Sequence, residues 1–124
     1  MTNEPWPTEI RLKDKGRALA VSFEAGEPFE LSAEYLRVMS PSAEVQGHSA
    51  AERKTVGGKR NVAIMQVEPV GNYAVRLVFD DMHSTGIYSW RYLHELGSEH
   101  EKRWAAYLAE LEGKGLTRDR PGIP

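Results

Sequence analysis

The chain has 124 residues and no cysteine, and its 16 basic and 18 acidic residues leave a formal net charge of −2. The lack of cysteine excludes disulfides, thiolate zinc sites, cysteine-ligated iron–sulfur clusters and cysteine nucleophiles. The balanced charge provides no broad electropositive surface, so neither nucleic acid nor an anionic membrane is an expected partner.

Three runs in which apolar and polar residues alternate predict an N-terminal β-meander, because this alternation is the period of a half-buried strand. Turn residues separate the runs, with Gly16 in the first turn and Gly26 in the second. The side chains expected to face the core are Ile10, Leu12, Leu19, Val21, Phe23, Phe29 and Leu31.

A short helix and a long loop are predicted to follow the meander. Ser32 has the position of a helix N-cap, which predicts a helix from Ala33 to about Met39. Residues 41–60 show no apolar period and are rich in glycine and polar residues, which indicates a long loop. The basic residues of this loop, Arg53, Lys54, Lys59 and Arg60, are interpreted as solvated rather than as a contact surface. The glycines at 57 and 58 do not match a phosphate-binding loop, because the flanking residues do not fit that motif.

A strand, a polar turn, a second strand and a helix start follow one another over residues 71–92, GNYAVRLVFDDMHSTGIYSWRY. Val75, Leu77 and Phe79 share one face of the first of these strands. Residues 80–83 supply the turn, and residues 86–88 form the return strand that runs into Ser89 as a helix N-cap. A further strand over residues 62–67 is predicted to precede this hairpin and to end near Pro69.

Two helices are predicted at the C-terminal end, the first closed by Gly97 and the second begun by a capping box of Ser98 and Glu101. The inner side of the first helix carries Trp90, Leu93, His94 and Leu96, and that of the second carries Trp104, Tyr107, Leu108 and Leu111. Residues 116–124 are expected to form a flexible tail. The whole pattern predicts an α+β fold, in which small antiparallel sheets, the meander and the central hairpin, pack with a short helix and two C-terminal helices.

The length fits a single domain over residues 1–124, large enough to bury a core without a metal or a disulfide. The N-terminal residues show no basic region followed by an apolar run, and no stretch reaches the roughly 18 consecutive apolar residues of a membrane span. We therefore expect a cytoplasmic protein.

The turn at residues 80–83 holds the best candidates for chemistry. Asp80, Asp81 and His83 combine carboxylates with an imidazole, a set that can hold a divalent ion or transfer a proton. The alternative is structural, with His83 bonded across the mouth of the hairpin and the carboxylates bonded to turn amides. The sequence contains no Gly-x-Ser-x-Gly elbow, which argues against a serine hydrolase.

Three blocks of sequence, in this order, carry a resemblance to a known family. They are residues 33–48, AEYLRVMSPSAEVQGH, residues 68–74, EPVGNYA, and the hairpin from His83 to Trp90. Together they resemble the gamma-butyrobetaine hydroxylase-like N-terminal domain family. The resemblance implies a small α+β domain that occurs alone in bacteria, at the N-terminus of gamma-butyrobetaine and trimethyllysine dioxygenases, and joined to some iron–sulfur carrier ATPases. It implies that this domain is not the part that does chemistry.

The resemblance also implies a zinc site that this chain has lost. In the dioxygenases the domain holds zinc through three cysteines and one histidine, and these positions fall on Ser40, Ser42, Val45 and His83. Hydroxyls and a valine cannot replace thiolates around zinc, so a structural zinc is not expected here. We expect hydrogen bonds among Ser40, Ser42 and His83 to join the helix to the hairpin instead.

These observations favour a non-catalytic interaction or scaffold module that needs no cofactor and binds a protein partner, such as an iron–sulfur carrier ATPase. The alternative is a protein that binds labile iron or another divalent metal. Its candidate ligands are His83, Asp81, Glu44 and His48. A third hypothesis is a small-molecule enzyme, which would need a pocket around Tyr88, Trp90 and His83.

Overall fold

The computed structural model describes residues 5–26, 28–47 and 49–119. Two antiparallel three-stranded sheets and four helices form an α+β fold, as the sequence predicts. The strands are β1 (Pro7–Lys13), β2 (Ala18–Phe23), β3 (Phe29–Ser32), β4 (Ile64–Val70), β5 (Ala74–Phe79) and β6 (Ile87–Ser89). The helices are α1 (Ala33–Val38), α2 (Ala43–Gln46), α3 (Trp90–Ser98) and α4 (His100–Gly113), and short 3-10 turns lie at Asp14–Gly16 and Ala50–Glu52.

The first sheet is the predicted meander, in the order β1-β2-β3, and the second has the order β4-β5-β6. The alternate residues of β2 and β5 that were predicted to face the core are buried. They are Leu19, Val21, Phe23, Val75, Leu77 and Phe79. The central hairpin belongs to a three-stranded sheet, because β4 pairs with β5 along its length. Pro69 lies within β4, which is an edge strand, so its missing N–H need not enter the ladder.

The inner faces of both sheets pack around α1 and α3 in one core. Leu36 of α1 and Leu93 of α3 are fully buried in it, and burial of such a side chain stabilises the fold by about 1.5–3 kcal/mol. A second, smaller cluster joins Val38 of α1 to Tyr107 and Leu111 of α4. Helix α1 therefore contacts both parts of the hydrophobic interior.

Two tyrosines fix the C-terminal end of α1. The last carbonyl groups of a helix have no partner within it. Here the hydroxyl of Tyr88 donates to the carbonyl of Leu36 at 2.5 Å, and the hydroxyl of Tyr92 donates to that of Met39 at 2.5 Å. The end of α1 is thus bonded to β6 and α3, which determines where Ser40 lies.

The prediction of one long loop over residues 41–60 is wrong in part, because α2 and the 3-10 turn Ala50–Glu52 interrupt it. The Ser42 hydroxyl begins α2 by accepting a hydrogen bond from the backbone N–H of Glu44 at 3.1 Å. Four residues are too few to display an apolar period, so the capping serine was the available signal.

The predicted boundary between the two C-terminal helices is also wrong. Gly97 lies inside α3, and a Cβ atom there would fall 2.4 Å from the ring of Phe29, so the glycine permits close packing of α3 against β3. Ser98 is the last residue of α3, with its hydroxyl 3.4 Å from His94 Nδ1. Glu99 occupies the N-cap of α4 and makes no side-chain cap bond.

The outer part of the C-terminal region differs from expectation in two ways. Leu108, predicted to face inwards, is 39% exposed, because the buried face of α4 runs through Tyr107 and Leu111.

The expected tail, 116–124, begins with residues that bond to the body of the protein. The carbonyl of Thr117 accepts from the N–H of Gly58 at 2.9 Å, and Arg118 donates twice to Glu34, at 2.8 and 2.7 Å. Residues 120–124 lie outside the described residues.

In the part of the chain that the structure describes, no helix is both long enough and apolar enough to cross a lipid bilayer.

Candidate functional site at the junction of α1 and the β5–β6 turn

The turn between β5 and β6 places His83 against the end of α1. The N–H of Phe79 donates to the carbonyl of His83 at 2.9 Å, which closes the turn, and Met82 takes a left-handed conformation with φ of 76°. The backbone N–H of His83 donates to Asp81 Oδ1 at 3.1 Å. These bonds turn the imidazole of His83 inwards, where the residue is 5% exposed.

Both nitrogens of the His83 ring are hydrogen-bonded. Nε2 lies 2.8 Å from the Ser40 hydroxyl and Nδ1 lies 3.0 Å from Glu44 Oε2. A carboxylate only accepts, so Nδ1 carries the proton of the neutral ring, and Nε2 then accepts from the Ser40 O–H. Burial and the nearby Arg37 lower the pKa of His83, which favours this neutral form.

Ser42 and Thr85 complete the set of bonds. The two hydroxyls lie 2.6 Å apart, and the Thr85 hydroxyl donates to Glu44 Oε2 at 3.0 Å. The backbone N–H of Ser42 donates to the Ser40 hydroxyl at 3.2 Å. Ser40, Ser42, Glu44, His83 and Thr85 therefore form a closed ring of hydrogen bonds, which we call the junction.

Asp81 lies beside the junction and pairs with two cations. Arg37 Nε approaches Asp81 Oδ2 to 2.7 Å and Lys59 Nζ approaches the same oxygen to 2.6 Å. Burial alone would raise the pKa of Asp81, but the hydrogen bonds from Lys59 and Arg37 outweigh it and lower that pKa to about 2. The neighbouring Asp80 has a structural role, since its Oδ1 accepts from the N–H of Ala63 at 3.1 Å.

The glycines at 57 and 58 do not form an anion-binding loop. The N–H of Gly58 donates to the carbonyl oxygen of Thr117. A Cβ atom at Gly57 would lie 2.8 Å from this carbonyl oxygen of Thr117. Their backbone is thus occupied by the C-terminal segment. Arg53 and Arg60 pair with Glu110 and Asp119 on partly exposed surfaces, as Lys59 pairs with Asp81.

The family model described as "Gamma-butyrobetaine hydroxylase-like, N-terminal" matches residues 10–94, a range that contains the whole junction. The chain belongs to this family. No curated protein matches it.

Solved structures of similar proteins share the fold. Two NMR solution structures match this chain, one at 40% identity over 98% of both chains with a TM-score of 0.83. The other matches at 45% identity over 100% of this chain and 96% of that chain, with a TM-score of 0.80. A crystal structure of a protein with unknown function of the DUF971 family, from Acidithiobacillus ferrooxidans, is 40% identical over 75% of this chain and 93% of that chain, with a TM-score of 0.62.

The residues at the positions that the resemblance assigns to zinc do not fit a zinc ion. Ser40 is fully buried and bonded to His83, Ser42 is bonded to Thr85, and Val45 is a buried apolar side chain. Only His83 has the chemistry of a zinc ligand, and its Nε2 accepts from Ser40. Hydrogen bonds connect Ser40 and Ser42, which follow α1, to His83 and Thr85 of the β5–β6 turn, and Glu44 bonds to both turn residues.

The residues proposed as ligands of a labile metal are divided between separate bonds. His83 and Glu44 bond to each other, while Asp81 faces Arg37 and Lys59. In residues 5–26, 28–47 and 49–119, no three His, Asp or Glu side chains form a group able to hold a metal ion. His48, the fourth proposed ligand, lies outside the described residues.

The order Ser40–His83–Glu44 has the hydrogen-bond pattern of a nucleophile, a base and an orienting carboxylate. Ser40 is 0% exposed, however, and a Cβ atom at Gly86 would lie only 2.6 Å from its hydroxyl. A substrate carbonyl therefore has no room beside the serine. Tyr88 is also fully buried, while Trp90 lines a different groove, so these residues do not surround a common pocket with His83.

Sequence reasoning missed Thr85, Arg37 and Lys59. Thr85 carried a weak signal, because it lies two residues after His83 in the same turn. Arg37 and Lys59 carried no signal in the sequence. They lie 44 and 22 residues before Asp81, and each approaches it only because α1 and the loop before β4 pack against the β5–β6 turn.

Proposed function

We propose that this chain is a non-catalytic interaction or scaffold module that serves iron–sulfur or metalloprotein assembly in the cytoplasm. The observation that carries the proposal is the closed junction. The ring nitrogens of His83 and the hydroxyls of Ser40, Ser42 and Thr85 are bonded to one another or to Glu44. At the place where the resemblance implies a metal in relatives, the side chains are engaged in hydrogen bonds within the protein. We therefore expect the protein to act by binding a partner through its surface.

The proposed partner is an iron–sulfur carrier ATPase that binds in trans. The support for it is the resemblance, because related domains are joined to such ATPases within one chain. Two domains that are fused in some proteins can act as separate chains that associate in others, with the interface retained. An interface of this kind is expected to be modest in area and reversible.

A binding experiment tests the partner directly. The untagged chain and the iron–sulfur carrier ATPase of the same host would be mixed, and their association measured by isothermal titration calorimetry with and without EDTA. The proposal predicts saturable binding that EDTA does not change. An absence of binding at the highest usable concentrations contradicts this partner.

The competing metal hypothesis is tested on the same preparation. Elemental analysis of the untagged protein would find a stoichiometric divalent metal if the chain were a metal carrier, and His83→Ala would lose it. The interaction-module proposal predicts substoichiometric metal in the wild type and the same trace in the variant. A metal that copurifies at one equivalent and depends on His83 would replace the proposal.

A further inference from the structure

Strand β1 lies at an open edge of the first sheet. The strand order β1-β2-β3 makes it an edge strand, and in the part of the chain that the structure describes it pairs with β2 alone. A groove of about 630 Å³ runs beside this edge, lined by residues 10–12 of β1 and residues 65–68 of β4. The groove leaves room for a further strand, to which the outer N–H and C=O groups of β1 can bond.

The floor of this groove is apolar. Ile10 and Leu12 of β1 and Val67 of β4 are partly buried and pack against the main core. Met65 of β4 is 63% exposed, so the groove presents apolar surface to the solvent. A strand laid along β1 would cover this surface with its own apolar side chains, which would add to the main-chain hydrogen bonds.

The pairing of β1 is regular over residues 9–13. There each residue faces one residue of β2, whereas the register shifts between Pro7 and Glu9. An irregularity and a proline hinder pairing at an edge, so an added strand should centre on residues 9–13. Successive side chains of a strand alternate between its faces, so Glu9, Arg11 and Lys13 share the face away from the core. Of these, Glu9 and Arg11 are exposed.

The charges on this outer face select one way of pairing two copies of β1. Antiparallel copies related by a two-fold axis place one residue directly opposite its own counterpart. With Glu9 or Arg11 on the axis, two like charges face each other, and with Leu12 on the axis Arg11 faces Lys13. With Ile10 on the axis, Glu9 of each copy instead faces Arg11 of the other. Two pairs of opposite charge favour this register, and like charges disfavour its neighbours.

We propose that this edge joins two copies of the chain in a symmetric dimer, with the two β1 strands antiparallel and Ile10 on the two-fold axis. The two three-stranded meanders then form one six-stranded sheet, and the apolar face of the added strand covers Met65. A two-fold interface uses the same patch on both copies, so one self-complementary strand is sufficient to build it. The inference goes beyond the proposed function and does not depend on it, since it concerns this chain alone.

Sedimentation velocity of the purified full chain over a range of concentrations measures the dimer. The proposal predicts reversible association, because a short ladder buries a modest area. Arg11→Glu places a second carboxylate opposite Glu9 on both sides of the axis and should weaken the dimer by about tenfold or more. The double variant Glu9→Arg, Arg11→Glu exchanges the two charges and should restore the wild-type affinity. Lys102→Glu makes the same change of net charge at an exposed position of α4 and should leave the dimer unchanged.

Cysteine cross-linking tests the register, since the chain has no cysteine of its own. In the proposed dimer the two Ile10 Cα atoms lie about 4.5–5.5 Å apart, within the range that a disulfide spans. With oxidised glutathione as the oxidant, Ile10→Cys should therefore form a disulfide-linked dimer. Leu12→Cys is the matched control on the same face of β1, because the two copies of this position lie too far apart to be joined.

Three results would overturn the proposal. They are a chain that stays monomeric at every concentration, a dimer that Arg11→Glu leaves intact, and a faster cross-link in Leu12→Cys than in Ile10→Cys. Protection of the β1 amides from hydrogen exchange that appears only when the iron–sulfur carrier ATPase is added would also overturn it, and would assign the edge to that partner. Circular dichroism checks that each variant is folded, which the exposed positions of Glu9 and Arg11 favour.

Discussion

Ser40 and His83 are 43 residues apart in the chain, yet the Ser40 hydroxyl lies 2.8 Å from His83 Nε2 in the interior of the protein. Ser40 follows α1 and His83 lies in the β5–β6 turn, so this one bond joins two elements that belong to different parts of the fold. Relatives are expected to make the same connection through a zinc ion. The contribution of this bond to stability can be measured by substituting its members.

Replacing His83 by alanine should destabilise the protein. The substitution leaves the buried Ser40 hydroxyl without its partner and opens a gap beside Phe79, for a cost of about 2–4 kcal/mol. For a chain of this size the melting temperature should fall by about 6–15 °C. Circular dichroism melts of the purified variant measure this fall.

Two controls test whether the fall in melting temperature comes from the buried hydrogen bond of His83 and not from a bound metal. Glu44→Ala removes the exposed partner of His83 and should change the melting temperature much less, since the Glu44 side chain is 62% exposed. EDTA should leave the wild-type melt unchanged. A His83→Ala melt equal to that of the wild type would show that the junction does not hold the two elements together.

The sequence predicts the fold better than it predicts the site. The strands follow from patterns among neighbouring residues, whereas the site depends on contacts between residues that are distant in the chain. Alternation, as in Val75, Leu77 and Phe79, predicts the strands, because it is a local pattern enforced by one buried face. The prediction that Gly97 ends α3 is wrong because a glycine that ends a helix and a glycine that admits Phe29 are identical in sequence. Only the packed structure distinguishes these two uses.

Within the site, the sequence predicts the residues of the junction better than it predicts the ion pairs of Asp81. The resemblance brings Ser40, Ser42 and His83 together, because it implies that all three positions belong to one zinc site in relatives, and Ser40 and His83 are indeed bonded here. The pairing of Asp81 with Arg37 and Lys59 could not, since ion pairs between distant segments leave no periodic signal in one sequence. The correct assignment of Asp81 therefore needed the three-dimensional arrangement.

Restoring thiols should restore a zinc site. The triple variant Ser40→Cys, Ser42→Cys, Val45→Cys combines three thiolates with His83, a ligand set common in structural zinc sites. We expect this variant to bind one zinc per chain, measured by elemental analysis after dialysis, and its melting temperature to fall when EDTA is added. The single variant Ser40→Cys is the control and should retain no zinc. A triple variant that folds but holds no zinc would show that the four positions do not converge as the resemblance implies.

Asp81 should make the protein lose stability in acid. The hydrogen bonds from Lys59 and Arg37 lower the pKa of Asp81 from its ordinary value of 3.8 to about 2, so its contribution is fully present above about pH 4 and is lost as the pH falls towards 2. Integrated over that range, the loss is about 1–2 kcal/mol. Urea unfolding at a series of pH values should show wild type and Asp81→Asn differing at pH 6 and converging near pH 2. A difference that stays constant with pH would mean that the Asp81 charge does not stabilise the fold.

The pair Glu34–Arg118 should anchor the C-terminal segment. Glu34 is 5% exposed and Arg118 donates two hydrogen bonds to it, so Arg118→Ala leaves a buried carboxylate without its cation. We expect a loss of about 1–3 kcal/mol, at the low end of buried pairs because the Arg118 side chain is 31% exposed. Arg60→Ala, which breaks an exposed pair with Asp119, is the matched control and should cost less than about 1 kcal/mol. Hydrogen exchange at the Gly58 amide should quicken in Arg118→Ala only, and unchanged exchange there would show that the segment is held by other contacts.

Gly16 should be among the least replaceable residues, because the turn between β1 and β2 meets the first residue of β4 there. Its φ is +87°, and a Cβ atom would lie 2.2 Å from the carbonyl oxygen of Ile64. Gly26 has nearly the same φ, +91°, but no atom within 4 Å of the added Cβ. Gly26→Ala therefore measures the cost of the left-handed conformation alone, about 1–2 kcal/mol, whereas Gly16→Ala adds a clash with backbone that cannot rotate away. Denaturant unfolding should show Gly16→Ala losing at least about 2 kcal/mol more than Gly26→Ala, or failing to fold. Equal losses would mean that the two sheets can separate at this point without cost, contrary to the packing of Gly16 on Ile64.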